Sequence, residues 1–97
     1  MEKTIYIHIK EFCSHYNVEV PFIKQLQEYE VVNIEVAETE IMIPENELLN
    51  LEKMVRLHHD LAINPEGLQA IHHLLAKVNH LQEEINFLSR KLKRFED

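Results

Sequence analysis

The last third of the chain carries one unbroken apolar repeat, and it limits the possible folds more than any other feature. Ile71, Leu74, Val78, Leu81, Ile85, Leu88, Leu92 and Phe95 step by 3, 4, 3, 4, 3, 4 and 3 residues. That alternation is the a/d seam of a coiled coil. It predicts one long helix from about Pro65 to Phe95, ~45 Å long at about 1.5 Å per residue. Leu68 and Leu75 widen the stripe near its start, where the helix should pack on the rest of the chain. The preceding residues can cover only a few helical turns, so past about Leu81 the stripe would face water in a monomer. Burying each such side chain is worth about 1.5–3 kcal/mol. Association costs about 4–15 kcal/mol, which the summed burial can outweigh. A homodimer is therefore expected, with Ile71, Leu74, Val78, Leu81, Ile85, Leu88, Leu92 and Phe95 as its dimerisation residues. The flanking e and g positions (Lys77, Gln82, Glu84, Ser89, Lys91, Glu96) are mixed in charge and leave helix direction open.

A break separates this helix from what precedes it. Pro65 disfavours helical geometry at Asn64, and Asn64 is itself a good N-cap. The expected organisation is a compact head over residues 1–63 and a dimerisation helix over residues 64–97. In the head, "TIYIHI" alternates like a short half-buried strand. Ile9, Phe12, Cys13 and Tyr16 have the i, i+3, i+4, i+7 spacing of a buried helical stripe, predicting a helix from roughly Ile9 to Tyr16. Cys13 then reads as a small core residue. Asn17 suits a left-handed turn residue. Pro21 fits the first position of a second helix running to about Tyr29, with Ile23, Leu26 and Tyr29 on one face. The runs "EVVNIEV" and "TEIMI" predict a β-hairpin whose tip carries Glu38 and Glu40. Pro44 is read as opening a third helix, with Glu45 and Glu47 at the positive end of its dipole. Leu48, Leu51, Val55, His58 and Ala62 form its stripe, widened by Met54 and Leu61.

Net charge is −7 and unevenly spread. Residues 1–30 carry −2, residues 31–60 carry −5, and residues 61–97 balance to zero. Affinity for DNA comes largely from Lys and Arg at phosphates. Yet "FIKQLQEYEVVNIE", where a helix-turn-helix domain would place its DNA-entering helix, holds one Lys and three Glu. Nucleic acid is not the expected partner; the acidic surface is either simply solvated or a face for a basic protein. Alternating polarity at the N-terminus does not resemble a secretory signal, and no apolar run is long enough to span a membrane. With a single cysteine, these features favour the cytoplasm.

No enzymatic chemistry is legible. Seven His are present, but no two lie at i, i+4, and neither HExxH nor CxxC occurs. No metal site or cofactor is expected. Gly67 is the only glycine, so no Gly-rich phosphate loop can form.

The order strand, helix, turn, helix, hairpin, helix, break, long helix resembles MerR-type winged helix-turn-helix proteins over nearly the whole chain. "IKEFCSHYNV" is similar to their first helix and turn. Ile23-Lys24 lies where they commonly have Leu-Arg, and "EIMIPENELLNLEKMVRLHHDL" is similar to their wing strand and next helix. The fold implied is mainly α: a winged helix-turn-helix head with a small β-hairpin, then a long coiled-coil helix. Three features depart from that pattern. Glu30 replaces a usual glycine, "NIEVAETEIMI" lacks the basic wing residues that clamp DNA, and no cysteine sits where metal-sensing members bind their ion. "EFCSHYNV", "VRLHHDLAINPEGLQAI" and "LQEEINFLSRKLKRF" resemble a narrower family, the CbpM chaperone modulators. That resemblance implies binding to the J-domain of a DnaJ-like co-chaperone of the CbpA type, and inhibition of its work with DnaK. The contacts expected on the acidic head are Glu28, Glu30, Glu35 and Glu38. The alternative is a MerR-type DNA-binding transcription regulator.

Overall fold

The computed structural model of the chain describes residues 5–37 and 39–96. Strand β1 (Tyr6–His8) leads directly into helix α1 (Ile9–Tyr16), and a short turn joins this to α2 (Val20–Glu28). Strands β2 (Glu35–Ala37) and β3 (Glu40–Pro44) follow. A 3₁₀ turn over Glu45–Glu47 then enters α3 (Leu48–Leu61), and α4 (Pro65–Glu96) completes the chain.

The sheet is antiparallel in the order β1-β3-β2. Ile7 lies opposite Ile43 on one side of β3, and Val36 lies opposite Ile41 on the other. The expected hairpin is thus present, and the N-terminal strand completes it into a three-stranded wing. Pro44 ends β3 rather than opening a helix. It lies opposite Tyr6 at the sheet's end, and its extended φ, ψ of −62° and 142° suit that position.

The turn after α1 forms as its residues dictate. Asn17 is left-handed (φ 56°) and donates its N–H to the Cys13 carbonyl. Val18 N donates to the same carbonyl at 3.1 Å. The core collects Ile9, Phe12 and Cys13 from α1, Ile23 and Leu26 from α2, Ile43 from β3, Leu51, Met54 and Val55 from α3, and Leu68 from α4. Val31 and Val32 seal it from the loop. Burial pushes the Cys13 thiol above its ordinary pKa, as expected for a packed residue rather than a nucleophile.

α3 ends on Ala62, left-handed at φ 55°. Asn64 Oδ1 accepts from the Gly67 N–H at 2.8 Å, the N-cap read from the sequence. Gly67 is needed here, since a Cβ would come within 2.7 Å of Ile63 Cγ2. Leu68 is fully buried and Leu75 packs against the core, so only the start of α4 is held by the head. From Leu74 to Leu92 the a/d residues are each 55–61% exposed, and Phe95 is 88% exposed. Ile71 is half-buried. The stripe therefore opens to solvent at Leu74, earlier than the expected point near Leu81. The reason is angular. The head packs on the side of α4 that carries Leu68 and Leu75, so the seam points away from it.

Candidate partner-binding surface

The surface is built around the C-terminal end of α2. Tyr29 caps the helix, and Glu30 follows in a left-handed conformation at φ 60°. Glu30 N donates to the Gln27 carbonyl at 2.9 Å, and Val31 N to the Leu26 carbonyl at 2.8 Å. These two bonds form a Schellman motif, whose left-handed position strongly favours glycine. A side chain with a Cβ there costs roughly 1–2 kcal/mol relative to ordinary geometry. The glycine missing from the sequence pattern is thus missing from a site whose backbone still has the glycine conformation.

Charge at this end is also inverted. A helix C-terminus carries a partial negative charge and favours cations. The last turn of α2 has no basic residue, yet Glu28 lies in it and Glu30 just beyond, both exposed. Ile34 N donates to Gln27 Oε1 at 3.1 Å, folding the loop back on α2 and bringing exposed Glu35, the first residue of β2, toward the same end. Glu38 lies outside the described residues. Between Val20 and Pro44 the sequence holds five Glu and one cation, Lys24.

Sequence reasoning missed the roles of two further carboxylates. Tyr29 donates its hydroxyl to Glu66 Oε1 at 2.7 Å, tying α2 to the start of α4. The Glu66 hydrogen bond is the main cause of an upward shift in the Tyr29 pKa, followed by desolvation and the charges of Glu66 and Glu28. Glu47 Oε1 accepts from Asn33 N at 3.3 Å. In the sequence, Glu45 and Glu47 read only as partners of a helix dipole. The folded chain shows that the loop after α2 reaches Glu47.

The two histidines of "VRLHHDLA" serve the head's architecture. His58 Nδ1 donates to the Ile63 carbonyl at 2.8 Å, and its ring centroid lies 4.2 Å from that of Phe22. His59 Nε2 donates to the Tyr16 carbonyl at 3.2 Å. Together they fasten the end of α3 to the helix-turn-helix unit. Tyr16 donates its hydroxyl to Glu52, joining α1 to α3. That bond, then desolvation and the Glu52 charge, raises the Tyr16 pKa, with Arg56 acting in the opposite sense. Among the described residues, no group of three or more His, Cys, Asp or Glu is arranged to hold a metal ion. No described helix is long and apolar enough to cross a membrane.

A family model described as "MerR HTH family regulatory protein" matches residues 7–90. Proteins named "Chaperone modulatory protein CbpM" are also similar. That of Escherichia coli O1:K1 / APEC is 28% identical over 93 residues, covering 95% of this chain and 92% of the relative. That of Escherichia coli O139:H28 (strain E24377A / ETEC) matches with the same identity and coverage. Both descriptions name regulators or modulators.

Proposed function

The chain belongs to the MerR helix-turn-helix family of regulatory proteins and is CbpM-like within it. From that premise we propose that it is a chaperone modulator and not an enzyme. It binds the J-domain of a DnaJ-like co-chaperone of the CbpA type and inhibits that co-chaperone's cooperation with DnaK. It acts in the cytoplasm as a homodimer, with residues 1–63 binding the partner and residues 64–97 joining the two copies through the exposed seam of α4.

The observation that carries this reading is the inverted charge of α2 and the wing. Exposed Glu28, Glu30 and Glu35 lie where a DNA-binding relative needs cations. With Glu38 they form the proposed contact set. A basic helix meeting this face gains on-rate and selectivity, and both fade with salt. A J-domain that offers such a helix to DnaK cannot offer it to both at once, so occupation of one surface suffices for inhibition.

A coupled assay of DnaK ATP hydrolysis, stimulated by the J-protein, tests the reading. Adding this protein should return the rate to the unstimulated level, with no effect on DnaK alone. Undiminished stimulation at saturating protein would remove the proposal. The family description favours one other reading, a transcription regulator, for which a mobility-shift assay should detect specific duplex binding at physiological salt.

A further inference from the structure

The carboxylates at the end of α2 can steer a basic partner, but they offer it little to bury. Lys24, Gln25, Gln27 and Glu28 form the outward face of that helix, all exposed and polar. Stable protein interfaces take most of their energy from a few anchors in desolvated pockets, with charges at the rim. Some other part of the head must supply an apolar seat if the complex is to be tight.

Three clefts on the head can be compared. The one between α3 and α4, about 360 Å³, mixes the apolar Leu49, Leu75 and Ala76 with Asn46, Asn50, Asn79 and a cation, Lys53, so it suits a basic partner less well. The one at the helix-turn-helix turn, about 210 Å³, has the ring of His58 against Phe22 as its wall. The third lies between α1 and the first turns of α3 and holds about 330 Å³. Its floor is apolar: Ile7, Phe12, Tyr16 and Leu48, with the Phe12 and Tyr16 rings stacked at 4.5 Å. Its polar lining is Glu11 and His15 from α1 and Glu52 from α3, so each of the two helices that bound it contributes a carboxylate. Glu52 accepts from the Tyr16 hydroxyl, so its carboxylate is fixed beside the opening. Glu11 is exposed. A carboxylate from each helix beside an apolar floor matches one chemistry: an apolar side chain with a Lys or Arg beside it.

We infer that this groove anchors one apolar side chain of the basic partner, with the adjacent cation held between Glu11 and Glu52. The inference rests on the reading that the partner is a positively charged polypeptide, and it adds the site of burial to the site of steering. The residues that bind most tightly are then those of α1 and α3, while Glu28 and Glu30 mainly set the rate of encounter.

Titration calorimetry of the full chain with a purified J-domain from a DnaJ-type co-chaperone tests it, using Glu11→Lys and His15→Glu. Both positions are exposed, one turn apart on α1, but each parent side chain suits the helix dipole, so both variants should fold and melt slightly below the parent. Glu11→Lys should weaken binding by about fivefold to tenfold, and His15→Glu should tighten it by about twofold to threefold. The Ile7 and Leu48 methyl resonances of the unsubstituted protein should shift when the J-domain is added, a readout independent of any variant's folding. Unchanged affinity in both variants, with those methyls unmoved while the J-domain binds, would overturn the groove and leave the partner reading intact. No binding by the unsubstituted protein would overturn the partner reading itself.

Discussion

Glu30 concentrates the conflict between stability and charge in one residue. Its backbone is left-handed and its carboxylate follows a helix C-terminus that favours cations. Glu30→Gly should therefore stabilise the fold by about 0.5–1 kcal/mol, the relief of the left-handed penalty less the entropy of glycine. Urea unfolding would measure this, and the same variant should bind a J-domain more weakly. The tyrosines make a second residue-level prediction. Both Tyr16 and Tyr29 have pKa values raised above the ordinary 10.0, each mainly by a hydrogen bond to a Glu. The folded state thus holds these protons more tightly than the unfolded chain. Their stabilisation is complete below the ordinary value and is lost as pH rises through the higher folded values. Stability should fall as pH rises past the ordinary value of 10.0, and less steeply in Tyr16→Phe, as followed by urea midpoints in alkaline buffers. At this scale the sequence was partly legible. Asn17 announced its left-handed turn because its side chain tolerates that conformation. Ala62 gave no such signal, since nothing in its side chain distinguishes φ 55° from an ordinary helical residue. The paired His were equally silent, because their partners, the Ile63 and Tyr16 carbonyls, come within reach only after folding.

Helix α4 was the most legible element, because its period is set locally and repeated without interruption. What periodicity could not give was the rotation of the helix on the head, which depends on where Leu68 and Leu75 dock. That rotation exposes the seam from Leu74 onward and supports pairing along nearly its full length. Ile85→Glu places a charge in the middle of the seam, so light scattering should report a monomer in place of the proposed dimer. The head's melting transition should persist, since its buried core uses no residue beyond Leu68. The start of the same helix depends on Asn64. Asn64→Ala removes the acceptor for Gly67 N–H and should cost about 1 kcal/mol, visible as faster amide exchange in the first turn of α4. The wing was legible in its parts but not as a sheet. Alternation marked the first strand and the hairpin separately, whereas the pairing of Ile7 with Ile43 is set by core packing between distant segments.

At the scale of the whole molecule, the helix-turn-helix fold of the MerR family carries a head whose carboxylates outnumber its cations. The family and the charge were both readable in the residues. The way carboxylates from α2, β2, the turn before α3 and the start of α4 gather about one loop was not, because they are distant in sequence. The proposed role turns on one property: this head captures a positively charged polypeptide and not a nucleic acid backbone. Calorimetry with a purified J-domain at low and at high salt tests it most directly, with the Glu28→Lys/Glu30→Lys variant beside the parent. The parent should bind, its affinity should weaken as salt rises, and the variant should show a marked loss of affinity. A parent that ignores the J-domain at both salt concentrations yet binds duplex DNA tightly would contradict that role.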